Sequence, residues 1–294
     1  MISQSYLPQL IGVLGLLTAT SQSQDFADYK VERLASGYKF TNGAVFAREG
    51  FLLFSDSPAN LVLKWTGGKP EPFLENAEGP AGIGIDTQAR IYICQSRARR
   101  IVRTDKNKSV HTVADSWEGK KFNAPNDIIV RRDGHAFFTD PAFGYQQDAR
   151  ELDFYGVFHL SPKGEVTPIA KWTTRPNGIG MNFAGRVLYV GDADRRAIRA
   201  FDIDRNGKAT NERQFAGEID GAPRGLTLDE KGNVYVAAKA VDVYSPEGRK
   251  IWRFEFSSPP SSCTFGDGDL QSLYVTAGDA VYRVRLKVKG AMQH

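Results

Sequence analysis

Six short stretches of the sequence open on a small, amide or charged residue and run into apolar ones: TNGAVF, PAGIGI, PNDIIV, PNGIGM, PRGLTL and PSSCTF. Aligned on one another they set Asn42, Ala81, Asn126, Asn177, Arg224 and Ser261 at equivalent positions. If the six segments converge, three amides and a guanidinium bring donors and acceptors into one small volume, which is the chemistry of a site for a polar small molecule. Asn in PNG or PND also suits a turn, because it tolerates the left-handed conformation and can bond its own backbone. A single Asn therefore reads either way. Three at matched positions of a converging set favour function.

Any proton transfer at such a site needs a base, and the opening residues supply none. The carboxylates within reach in sequence are Asp127, Asp140, Asp192 and Glu151. Asp140 and Asp192 end apolar runs at TDP and GDAD, where a turn role suits an Asp. The pleat of a strand turns Asp127 the opposite way from Asn126, though a turn residue can escape that rule. Arg224 is a long cation where the other repeats carry small or amide residues. It either binds an anionic or carbonyl-bearing ligand and stabilises an oxyanion, or it pairs with an acid such as Asp127 and fills space. No P-loop, GxSxG or HExxH pattern is present. GIGMNFAG contains GxG but in a strand-turn-strand context, so it is no dinucleotide fingerprint. The histidines, at 111, 135, 159 and 294, are not clustered in the sequence, and His135 reads as structural or exposed.

The elements that would position these residues recur with them. Leu52–Asp56, Ile91–Gln95, Ala136–Asp140, Leu188–Asp192, Val234–Ala238 and Leu273–Ala277 are β-rich runs whose ends lie 39 to 52 residues apart. Each follows a turn such as RRDG, NFAG or DEKG and precedes another strand. Six such units without helical patterning predict an all-β, six-bladed β-propeller. The alternating segment Tyr29–Ser36 is expected to supply the outer strand of the last blade and to cover its open edge. The longest interval contains PAFGYQQDARELDFYG, read as an extended loop over one face.

The chain has 294 residues, 41% of them hydrophobic, enough for one large domain, placed at 26–294. The net charge of +4 is scattered and argues against a nucleic-acid partner. Residues 1–21 read as a signal peptide: an apolar run from Leu10 to Ala19 is too short to span a bilayer, and small residues follow it. Export to a periplasmic or extracellular space is expected, with no membrane attachment after processing. Cys94 and Cys263 read as two buried thiols. A small-molecule substrate and a monomeric state are expected. Asn107 in NKS is formally a glycosylation acceptor.

EGKKFNAPNDIIVRRDGHAFFTDPAFG and RPNGIGMNFAGRVLYVGDADRRAIRAFDID are similar to the third- and fourth-blade signatures of the SMP-30/gluconolactonase family of propeller lactonases. SDSPANLVLKW and ICQSRARRIVR match its first two blades more loosely. The resemblance covers almost all of the chain after the leader. It implies hydrolysis of a sugar-type lactone, aided by one divalent ion (calcium, magnesium or zinc) at the channel mouth. Carried over, Asn177 corresponds to the metal-binding Asn of PNG, and Asn126 to the PND residue that contacts substrate or metal. The chain departs from the pattern elsewhere. Asn42 stands for the Glu of EGPVW, Arg224 for the Asp of PDG, Ala81 for an Asn, and CQS (Cys94, Gln95, Ser96) for CEH. Such ions prefer carboxylate oxygen, and a dication about 4 Å from a guanidinium is repelled by roughly 8 kcal/mol at an effective dielectric near 20. The residues to weigh are thus Arg224 and Asp127 for catalysis, Asn42, Asn126 and Ser261 for substrate, and Asn126 and Asn177 for a metal if one binds. Two alternatives remain: a propeller that binds a small anion or sugar acid without hydrolysing it, and a metal-independent enzyme of different chemistry.

Overall fold

The computed structural model describes residues 25–105 and 107–292. The leader read at 1–21 and His294 lie outside the described residues.

Six four-stranded antiparallel sheets are arranged as blades. Their inner strands are Thr41–Ala47, Pro80–Ile85, Ile128–Val130, Pro176–Met181, Leu226–Leu228 and Pro260–Gly266. The second strands, Phe51–Asp56, Ile91–Gln95, Ala136–Asp140, Val187–Asp192, Val234–Ala237 and Ser272–Ala277, are the runs the period picks out, with ends shifted by at most one residue. A short extra hairpin pairs Ser116–Trp117 with Lys120–Lys121 ahead of the third blade.

The ring closes through its ends. Val31–Ser36 pairs antiparallel with Ala280–Arg285, so the N-terminal strand is the outermost strand of the sixth blade. Both faces of each blade are covered by a neighbour, and the alternating side chains make six apolar clusters, one in each gap between adjacent blades. This burial holds the blades in a ring. Phe26 adds to the seam of blades five and six, packing against Tyr235, Trp252 and Phe254. Cys94 and Cys263 are free and buried in such clusters. Burial raises both thiols, Cys263 to about 12.

The long third-blade loop carries a short 3-10 turn at Gly144–Ala149. Its returning limb is anchored, with Leu152 and Phe154 buried and the Phe154 carbonyl accepting from Asn123 Nδ2 at 3.0 Å.

The histidines correct the sequence reading. His135 and His159 stack with ring centroids 4.9 Å apart, and Nδ1 of the first lies 2.6 Å from Nε2 of the second. The antiparallel register that sets Phe137 opposite His159 brings the rings together. Burial depresses both, His159 to about 4.

Candidate functional site

The six opening residues form a closed ring, held by contacts from each blade to the next. The Ala81 carbonyl accepts from Ser55 Oγ at 2.8 Å and lies against Gly43. The Asn126 carbonyl accepts from Gly82 N at 2.6 Å, and that of Asn177 from Thr139 Oγ1 at 2.5 Å. The Arg224 carbonyl abuts Gly178, where a Cβ would lie 1.5 Å from it. The Ser261 carbonyl accepts from Gly225 N at 3.1 Å. Ser261 Oγ returns the ring to blade one by donating to the Thr41 carbonyl at 2.6 Å.

With the carbonyls turned toward their neighbours, the side chains are left to the mouth. Asn42, Asn126 and Asn177 are half-buried, and none of their side-chain amides hydrogen-bonds to another described residue. The turn role, which needs an Asn bonded to its own backbone, does not describe them. Arg224 is also half-buried and has no acid or hydrogen-bond partner among the described residues. Its guanidinium lies 5.8 Å from the centre of the Phe40 ring, next to the opening of blade one, so it reaches past the sixth blade. Burial alone lowers its pKa. Ser261 differs from these four. It is 2% exposed, and its hydroxyl meets the Thr41 carbonyl, the Thr276 carbonyl and Thr276 Oγ1. The structure therefore makes Ser261 a buried seam between blades six and one, and Ala81 is buried as well.

Asp127 stands one residue further along. It precedes the inner strand, which begins at Ile128, so the pleat does not govern its direction. Its carboxylate lines the channel and accepts the N–H of Ile128 at 3.0 Å and, from blade four, the N–H of Ile179 at 3.0 Å. It makes no ion pair with Arg224, the pairing considered from sequence. Four of the other five repeats carry Gly at this position (Gly43, Gly82, Gly178 and Gly225), and the fifth carries Ser262, whose Oγ accepts Ala44 N at 3.2 Å. An Asp where most repeats show Gly was the signal available in the sequence. Burial pushes the Asp127 carboxyl up to about 7, against the two N–H donors that pull it down.

The channel below is small and of mixed lining, with Thr227, Ser262 and Thr264 among the apolar side chains. Its cavity of about 70 Å3 is lined by residues such as Ile83, Ile128, Ile179, Leu226 and Phe265, and Ala291 and Met292 sit at its lining too. The C-terminal segment is pinned there by Ala291 N donating to the Leu228 carbonyl and by Arg132 donating to the Met292 carbonyl. That volume holds a few waters of about 30 Å3 each, whereas a sugar ring must sit at the mouth.

The other acids lie elsewhere. Asp56, Asp140 and Asp192 are buried strand ends that hold turns. Asp140 accepts the N–H of Asn123 and Ala124, each at 2.8 Å. Asp56 accepts those of Lys39 at 3.0 Å and Phe40 at 3.1 Å. Asp192 accepts from Thr174 Oγ1 at 2.8 Å and Arg195 N at 3.1 Å. Glu151 is exposed and paired with Arg99 at 3.1 Å. Among the described residues no group of three His, Cys, Asp or Glu side chains is arranged to hold a metal ion, and no helix is long and apolar enough to cross a membrane.

The family model of the SMP-30/gluconolactonase/LRE-like region matches residues 40–279. The chain belongs to this family. A gluconolactonase of Zymomonas mobilis is 32% identical over 295 residues, spanning 88% of this chain and 82% of its own. A pentonolactonase of Haloferax volcanii is 27% identical over 67% of this chain and 66% of its own. Among solved structures, a gluconolactonase from Xanthomonas campestris superposes with a TM-score of 0.85 at 28% identity, covering 90% of this chain and 92% of that one. A calcium-binding regucalcin from Agrobacterium tumefaciens has the same fold, with a TM-score of 0.77 at 18% identity over 90% of this chain and 96% of that one. The six-bladed propeller is the one the repeat predicts, and the family is the one the third- and fourth-blade segments resemble.

Proposed function

We propose that this protein is a hydrolase that opens a small, sugar-type lactone at the mouth formed by Asn42, Asn126, Asn177 and Arg224. One observation supports the proposal: four half-buried polar side chains at matched openings of the inner strands have no hydrogen-bond or ion partner among the described residues, beside Asp127, whose carboxyl is pushed up to about 7 by burial. Unsatisfied polar groups in a half-buried ring await a ligand rich in hydroxyl and carbonyl oxygen. Relatives named as lactonases support the substrate class.

Asp127 acts as general base in this reading. Ionised, it takes a proton from a water while that water's oxygen attacks the lactone carbonyl carbon. The carbonyl oxygen becomes an oxyanion, and amide N–H groups of the mouth asparagines stabilise it. Collapse breaks the ring C–O bond. The leaving alkoxide takes the proton back from Asp127, giving a hydroxy acid that ionises in solution.

The donor set does not fit a resident dication. Asn42 and Arg224 stand where the family carries the carboxylates that calcium or magnesium selects. Both Asp127 oxygens already accept backbone N–H groups, and a permanent cation occupies the position of a fourth ligand. No step is therefore routed through a metal. Export of the mature chain, acting as a monomer on a soluble substrate, belongs to the same proposal.

The test is proton release on adding aldono-lactones to the purified protein, with and without chelator, beside Asp127→Asn. Hydrolysis that survives chelation and falls at least 100-fold in the variant agrees with the reading. Tight sugar-acid binding without turnover in the wild type would make the protein a binding propeller instead.

A further inference from the structure

We infer that the substrate taken at this mouth carries a carboxylate of its own, away from the reacting ester, and that Arg224 grips it. The inference rests on the lactonase reading of the same site and narrows it to lactones of sugar diacids.

The backbone of Arg224 is fixed: its N–H donates to the Ala237 carbonyl at 2.7 Å, and its own carbonyl is packed on Gly178. The side chain starts from a rigid point and overhangs the mouth toward Phe40. Other arginines near the same ends of the blades have acids beside them: Arg99 with Glu151, Arg175 with Asp194, Arg195 with Asp192 and Arg253 with Asp220. Arg224 has none among the described residues. A guanidinium keeps its charge at any working pH. Held half-buried against one aromatic face, it bears a desolvation cost that neutral amides offset poorly. A lactone carbonyl offers only partial negative charge before reaction. A carboxylate offers a full charge in the ground state and two oxygens that match the planar fork. The Phe40 ring, at cation–π distance, sheds water from one side of that pair.

A group that meets a charge present in both ground and transition states contributes to binding more than to turnover. The experiment follows from this. Initial rates are measured on D-glucaro-1,4-lactone, which bears a free carboxylate, and on D-glucono-1,5-lactone, which does not, with wild type, Arg224→Ala and Arg224→Lys. Calorimetry with glucarate and gluconate accompanies the rates. The wild type is expected to prefer the carboxylate-bearing lactone. Arg224→Ala should erode the ratio of the two kcat/KM values by about 30-fold, the worth of a charge-assisted hydrogen-bond pair, mainly through KM. Arg224→Lys should recover part of that ratio. Equal losses on both lactones, carried by kcat, would overturn the inference in favour of an oxyanion role. If neither lactone is turned over, the lactonase reading falls, and calorimetry judges the inference separately. Glucarate binding that Arg224→Ala abolishes sustains it. Glucarate binding that is absent, or equal in the variant, overturns it.

Discussion

Asp140 holds Asn126 in place at one remove: its carboxylate accepts the N–H groups of the residues three and two positions ahead of that Asn. The relationship recurs. Asp56 takes the N–H groups three and two positions ahead of Asn42, and Asp192 takes the hydroxyl of Thr174, three positions ahead of Asn177. In the repeats whose opening residue is not Asn, the strand-end position is Gln95, Ala238 or Ala277. Each mouth amide thus comes with its own buried carboxylate, which fixes the approach of the chain.

Removing that carboxylate leaves two buried donors unpaired. Asp140→Ala should cost about 2–4 kcal/mol of stability, at 1–2 kcal/mol for each lost bond, and should weaken lactone turnover by loosening Asn126. Thermal denaturation reads the first effect and steady-state kinetics the second. A melting temperature within one degree of wild type would mean that the loop holds without it.

Activity should depend on pH through Asp127. The base must be ionised, and its carboxyl is raised to about 7 by burial, so kcat/KM should climb through that region and level off above it. Below pH 6 the rate should fall about tenfold per unit, as for any single required base. A profile that is flat from pH 5.5 to 8.5 would remove Asp127 from the role.

Stability should show the opposite trend for Asp140, also raised to about 7 by burial. Between the unfolded value near 4 and that folded value, the folded chain binds more protons than the unfolded one. The contribution of this group is full below pH 4 and is lost as pH rises through 7. His159, depressed to about 4, works in the other sense, losing its contribution as pH falls from 6.5. Comparison with Asp140→Asn isolates the carboxyl: the melting temperature of wild type minus that of the variant should decrease from pH 5 to pH 8. A constant difference refutes the assignment.

Mouth and seam should separate under alanine substitution. Asn126→Ala and Asn177→Ala remove side chains with no hydrogen-bond partner among the described residues, so stability should change by no more than about 0.5 kcal/mol while turnover falls 10- to 1,000-fold. Ser261→Ala should do the reverse, costing about 1–2 kcal/mol through its lost buried hydrogen bonds with little effect on rate. Paired melting curves and rates test both, and a destabilised Asn177→Ala with normal turnover would move that residue into the framework.

The blades were legible in the sequence because their second strands are fully buried and return at a steady spacing, each after its own turn. The N-terminal strand was legible from alternation alone. Asp127 was legible as a candidate base, but its hold on the next blade, through the N–H of Ile179, was not. Nor was the freedom of Arg224, because an absent partner leaves no trace in a one-dimensional pattern. His135 and His159 meet only through a register 24 residues apart, and Ser261 looks like a mouth residue until its three hydroxyl contacts are seen.

The pairing of Val31 with Val284 places the first strand beside the last. The ring therefore cannot be finished until nearly the whole chain is available, and the final seam closes a loop of some 250 residues at an entropic cost that grows only with the logarithm of its length. Folding should accordingly be slow and end in a single late step, the docking of the N-terminal strand. A circular permutant cut in the exposed turn at Pro162–Gly164, with its old ends joined, would make that last long-range contact a far more local one.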